Sequence, residues 1–147
     1  MLIRKAATAA SIHLNIVQTD EQSIKMAQSV TSGKIPGTTE DYTLDWEWRT
    51  NHDSFFGDVS GRSRWVSVEQ SRQTEVLGDG EGEWIEGDSD GKLIEAEGKK
   101  EDGEWRAHHL WGFEQVDGQR RHTRRVYVEN KKGENIRVRM VYDFMGE

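Results

Sequence analysis

From Tyr42 onward, apolar and polar residues alternate with a period of two, and short Gly- and Asp-rich breaks cut the alternation into segments. That period belongs to extended strands, whose successive side chains point to opposite faces. Tyr42, Leu44, Trp46 and Trp48 fall on one side of the first segment, with Thr43, Asp45, Glu47 and Arg49 on the other. The breaks have the composition of tight turns: Asn51-His52-Asp53, Asp88-Ser89-Asp90-Gly91, Asp102-Gly103, Asp117-Gly118 and Lys131-Lys132-Gly133. Between them the pattern predicts strands over 55–70 (bent at Gly57 and Gly61), 72–77, 83–86, 92–97, 105–116, 119–129 and 135–144.

The first forty residues read differently. Residues 1–10 are taken as a loose lead-in. Ile12, Leu14 and Ile16 alternate with His13, Asn15 and Val17 and predict a first strand over 11–19. Thr19-Asp20-Glu21-Gln22 has the form of a capping box, Ile24, Ala27 and Val30 follow at helical spacing, and Gly33 supplies a stop. A helix over 20–32 is predicted, then a turn at Lys34-Ile35-Pro36-Gly37. A meander this long removes its edges by closing. The expected fold is therefore mostly β: one domain over 1–147, an antiparallel up-and-down barrel of about nine strands, with one short helix after the first strand. A curved open sheet packed on the helix is the alternative.

Composition narrows the function classes. There are no cysteines, which excludes disulfides and thiolate metal sites. A net charge of −7 argues against nonspecific nucleic-acid binding, which needs a basic surface. No apolar run approaches the ~20 residues of a membrane span, nor the continuous core of a secretory signal. A cytoplasmic location is the expectation, and a homodimer is compatible with it. Charge is unevenly placed. Residues 75–104 hold twelve acids against three lysines, whereas 105–147 hold nine Lys and Arg against six acids. Solvated hairpin faces explain this; so do arginines directed at a ligand.

One face of 105–113 carries Trp105, Ala107, His109, Trp111 and Phe113. On the next strand Arg120, His122 and Arg124 share a face with Val126 and Val128. On the last, Ile136, Val138, Met140, Tyr142 and Phe144 run together, opposite Arg137 and Arg139. If the apolar faces line an interior, His109, His122, Arg124 and Tyr142 meet there. An interior arginine needs a counter-charge, such as Asp58 or a ligand's acid group. A hydrated position at a barrel mouth explains His122 and Arg124 equally well. Arg62 and Arg64, two apart, share a face with Asp58 and Ser60; such a row holds an anion by forked hydrogen bonds or pairs with acids of neighbouring strands. Trp46 and Trp48 could stack on a ring-shaped ligand or fill a core. His108-His109 is no zinc motif, since adjacent strand residues face opposite ways, and Asp88–Gly91 lacks the glutamate of a calcium loop. No nucleophile elbow, P-loop or dinucleotide fingerprint is present. No metal and no cofactor are expected.

The order of strand, short helix and long meander resembles the calycins, the lipocalin and fatty-acid-binding-protein group of barrels. In the intracellular lipid-binding branch the helical element also follows the first strand and lids the cavity, and an Arg-x-Tyr pair holds a carboxylate. Arg125-Val126-Tyr127, within His122-Thr-Arg-Arg-Val-Tyr-Val128, is similar. It departs from that pattern in lying on the penultimate strand, with Arg125 out of phase with Val126. Phe56-Gly-Asp-Val-Ser-Gly-Arg-Ser-Arg64 and Trp111-Gly-Phe-Glu114 are also similar to small uncharacterised fungal proteins.

The expected function is binding of a small hydrophobic or aromatic, anionic molecule. Arg124, Arg62, Arg64, Trp46, Trp48, Trp111 and Tyr142 are the candidate ligand contacts. The alternative is a cofactor-free isomerase, cyclase or dehydratase in which His109 or His122 moves the proton. A protein-interaction module built on the acidic hairpins is a third class.

Overall fold

A computed structural model describes residues 12–30, 38–53, 57–77 and 92–143. The chain divides into two compact units, Met1–Leu44 and Asp45–Glu147. The first holds a three-stranded antiparallel sheet of β1 (Ile12–Asp20), β2 (Ser23–Val30) and β3 (Thr38–Thr43), in that order. The second holds a six-stranded sheet whose spatial order is also its sequence order: β4 (Arg49–Asp53), β5 (Gly57–Ser67), β6 (Lys92–Lys100), β7 (Trp105–Val116), β8 (Gln119–Asn130) and β9 (Asn135–Tyr142). Every pairing is antiparallel. Among the described residues β4 and β9 are the outer strands of this sheet, and no pairing joins them.

The predicted helix over 20–32 is a strand. Thr19–Gln22 closes the β1–β2 hairpin: the Gln22 amide donates to Asp20 Oδ1 at 2.7 Å, and Thr19 Oγ1 donates to the Ser23 carbonyl at 3.3 Å. Short polar side chains satisfy turn amides as readily as helix amides. Ile24 and Met26, two apart, are buried while Lys25 and Ala27 are exposed, so the working period is two. Gly33 and the 34–37 turn lie outside the described residues, as do 1–10, 83–86 and 88–91.

The one described helix, α1 (Val68–Ser71), lies between β5 and β6, where an unbroken strand to Gln70 and another over 72–77 are predicted. Ser67-Val68-Glu69-Gln70 is a true capping box: the Gln70 amide donates to Ser67 Oγ at 3.0 Å, and the Ser67 amide donates to Gln70 Oε1 at 2.9 Å. Residues 72–77 continue as turns. They drop Val76 and Leu77 beside Val66, Val68, Leu93, Leu110 and Tyr127, the apolar cluster on one face of the sheet.

The predicted run from Tyr42 to Trp48 is also interrupted. Leu44 is buried, but Trp46 has φ 62° and Trp48 is 41% exposed, so the even-numbered face does not continue. The Trp46 amide donates to the Ser63 carbonyl at 2.9 Å, which pins the bend to β5. The later hairpins agree closely with the sequence. At Asp117-Gly118, both residues have positive φ (51° and 77°), the conformation a two-residue loop between twisted strands demands.

Candidate functional site

Ladder partners across antiparallel strands share a face, so the register sorts the six-stranded sheet into two sides. Arg62 faces Glu97, Glu97 faces His108, and His108 faces Tyr127; Arg64, Glu95 and Leu110 form the adjacent row. This is the face covered by α1 and the turns after it. Trp111 pairs with Ile94 and with Arg124, and His122 pairs with Phe113 and with Tyr142, all on the opposite face. The structure thus brings the expected contacts together as two groups with the sheet between them. Trp46, Trp48, Arg62 and Arg64 form one group; Arg124, Trp111, Tyr142, His109 and His122 form the other.

The first group borders an open cleft of about 640 Å³ lined by Trp46, Arg62, Arg64, Glu95, Glu97 and His108 on one side and by Gln70, Gln73, Thr74 and Glu75 on the other. Trp46 lies over both guanidinium groups, 3.9 Å from Arg62 and 4.1 Å from Arg64, and Trp48 receives Arg62 at 4.6 Å and Lys99 at 4.3 Å. Arg62 donates through Nε and Nη2 to one oxygen of Glu97, at 3.1 and 3.0 Å. Arg64 holds Glu95 Oε1 at 2.9–3.0 Å. The row of arginines is therefore paired with neighbouring acids, one of the two readings its sequence allowed.

Among the lining residues is His108, which is not among the candidate contacts the sequence offers. It is 9% exposed, and Glu95 beside it is 3% exposed. Nδ1 lies 3.4 Å from Glu75 Oε1, and Nε2 lies 3.6 Å from Glu95 Oε2. Glu75 is gripped in turn by Arg106, whose Nη2 reaches Oε2 at 3.0 Å, and its carbonyl accepts from Arg137 Nε at 2.9 Å. Burial disfavours charge on the His108 ring, but Glu95, then Glu97 and Glu75, outweigh it and raise its pKa above the ordinary histidine value. Burial likewise opposes the Glu95 carboxylate, yet His108 and Arg64 hold its pKa below the usual range. Arg106 keeps Glu75 low in the same way. With His108 protonated, the three cations and three carboxylates of the lining balance. One signal in the sequence could have found this site: three successive strands each carry same-face charged residues two apart (Arg62/Arg64, Glu95/Glu97, Arg106/His108), with signs that match when stacked.

The second group is of another kind. Arg124, 6% exposed, packs its guanidinium 4.2 Å above the Trp111 ring, and Arg120 packs 3.7 Å above Phe113. His122 sits between Phe113 and Tyr142, 5.5 Å from each ring centre. Burial, then Arg124, pushes the His109 pKa down to about 3 and that of His122 to about 4. Both are neutral at pH 7 and are poor bases, since a general base works best with a pKa near the ambient pH. Arg125, out of phase with Arg124, joins buried Glu114 on the other face through Nε at 3.1 Å and Nη2 at 2.7 Å; Glu114 also accepts from Thr123. That pairing uses up the arginine of the Arg-x-Tyr resemblance within the protein itself.

No family model matches the chain, and no curated protein or solved structure matches it.

Proposed function

We propose that the chain is a small-molecule-binding protein whose ligand, an aromatic or otherwise planar anion, lies in the cleft beside Trp46. The observation that carries this reading is the backbone of Trp46. A bulky residue at φ 62° is strained by about 1–3 kcal/mol, and such strain persists where surrounding structure fixes it for a purpose. Here it holds an indole across two guanidinium groups at the rim of an open cleft. A ring stacks on the indole edge of this array, while its acid group takes the Nη1 side of Arg62 or Arg64, which the pairs with Glu97 and Glu95 do not use. The test uses 2-naphthoate and its methyl ester, followed by tryptophan fluorescence. Arg62→Met with Arg64→Met lowers naphthoate affinity more than tenfold and leaves the ester unchanged. If Arg124→Met produces that selective loss instead, the ligand belongs to the opposite face and this assignment fails.

Closure of the meander into a calycin-like barrel belongs to the same proposal. The unbroken neighbour-to-neighbour pairing from β4 to β9 supports it, as do apolar residues exposed along β9: Ile136, Val138 and Val141. Closure would protect the outward amides of β9 from hydrogen exchange; exchange within seconds at all of them would show an open edge. No described helix is long and apolar enough to cross a membrane.

A further inference from the structure

We infer that Glu95, Glu97 and His108 form a binding site for a divalent transition-metal ion, with zinc the best fit. Each residue offers one donor atom, and the three atoms lie within 4.8 Å of one another. Metal–ligand distances of about 2.0–2.2 Å bring donors roughly 3.3–3.6 Å apart in a tetrahedron, so a small inward rotation of the carboxylates completes the contact. His108 Nε2 and Glu95 Oε2 already stand 3.6 Å apart.

The nitrogen itself points to an ion. His108 Nε2 is sealed from solvent and makes no hydrogen bond, on a residue nine-tenths buried. A buried ring nitrogen with no hydrogen bond and only the 3.6 Å approach of Glu95 Oε2 is poorly satisfied, and a metal satisfies it as well as a proton does. The other nitrogen is held as metal-bound histidines are held. Nδ1 faces Glu75, itself gripped by Arg106, so a carboxylate fixes the tautomer that leaves Nε2 to the metal. The carboxylates are supported similarly. Arg64 takes Glu95 by Oε1 and leaves Oε2 toward the ring; Arg62 takes Glu97 by Oε2 and leaves the second oxygen uncommitted by that pair. The ladder sets the spacing, because Glu97 is the cross-strand partner of His108 and Glu95 is the next residue on that face.

The donor set of one imidazole and two carboxylates suits zinc or manganese, and the absence of sulfur disfavours copper(I). Two protein carboxylates neutralise the ion, and the cleft leaves its fourth position open to water or an anion. The site shares its cleft with the proposed organic ligand, yet its occupancy needs no organic molecule. Naphthoate binding by chelator-treated protein tests that earlier reading separately.

The test is calorimetric titration of ZnCl2 into the full chain after chelator treatment, at fixed pH. One ion binds per chain. His108→Asn and Glu95→Gln each weaken binding at least a hundredfold. Glu75→Gln, which removes only the support of Nδ1, weakens it about tenfold. His109→Phe, on the opposite face, and His52→Asn, exposed on β4, leave it unchanged. Because His108→Asn could unfold the sheet, the unsubstituted protein provides a second measurement: saturating zinc shifts the imidazole NMR signals of His108 and leaves those of His109 in place. The proposal is overturned by the absence of saturable one-to-one binding. It is equally overturned by an affinity that survives both ligand substitutions, or by zinc shifting His52 while His108 stays still.

Discussion

His108 and His109 are neighbours in the chain and opposites in chemistry. One lies among three carboxylates on the face covered by α1 and tends to hold its proton; the other lies beside Arg124 on the opposite face and gives its proton up until about pH 3. Burial penalises the charged form of both, so burial alone does not separate them. The sign of the nearest cross-strand charges does, because those charges act through a poorly screening interior. A β-strand thus offers two unrelated environments to consecutive residues, and function must be sought one face at a time.

The comparison can be broken most forcefully with the apolar neighbours Leu110 and Trp111, both buried, one on each face. If both faces are packed, Leu110→Ala and Trp111→Ala each cost about 3–5 kcal/mol in denaturant unfolding. A loss under about 1 kcal/mol for Trp111→Ala alone would show its face to be solvated. Next in size is Glu95→Gln in metal-free protein. It strips His108 and Arg64 of a buried partner, with an expected loss of about 2–3 kcal/mol, below that of a sealed ion pair because Arg64 is partly exposed. The NMR-observed His108 pKa should fall at the same time; an unmoved pKa would assign its charge to other groups.

Acid sharpens the contrast further. The unfolded chain takes up protons on His109 and His122 near pH 6.5, whereas the folded chain does so only near 3 and 4. Stability therefore falls as pH drops from about 6.5 to 4, because the unfolded chain binds these protons first. His109→Phe with His122→Phe flattens that limb, and a slope that persists would place its origin elsewhere. His108, raised in the folded state, contributes fully below its ordinary value and loses its contribution as pH rises through the folded one. Glu75 and Glu95, both lowered, lose theirs only in stronger acid. Smallest of all is Trp46→Gly. It relieves the positive φ and removes the stacking on Arg62 and Arg64, two effects of about 1 kcal/mol each that oppose one another. The melting temperature should move little while naphthoate binding is lost; a large destabilisation would make Trp46 a packing residue.

The hairpins of the second unit were legible because their turn residues and alternation agree. β7 matches its predicted limits, and β8 and β9 differ from theirs only at their ends. The misread helix and the missed helix carry the same motif. Thr19-x-x-Gln22 and Ser67-x-x-Gln70 both fit a capping box, but only the second has helical continuation, and local hydrogen bonding could not say which. The site was half legible. Its arginines and Trp46 stand out in the sequence, while Glu95, Glu97 and His108 do not, because the apolar odd face of β7 reads as the interior. Both faces bury side chains, so hydrophobicity alone does not separate the face with the charged cluster from the face with the buried histidines His109 and His122.

The sheet order has a consequence in time. Each described strand of the second unit pairs with its neighbours in sequence, so the described sheet can assemble as successive hairpins while the chain emerges from synthesis. One junction resists this. Joining β5 to β6 means closing residues 68–91, which costs about 2 kcal/mol more in loop entropy than a two-residue turn. The quickest route then begins in β6–β8, Lys92 to Asn130, with β5 arriving late and bringing α1 and Glu75 with it. Glu95, Glu97 and His108 would gather early on one growing sheet, and the arginines, the tryptophan and the supporting carboxylate would close around them last.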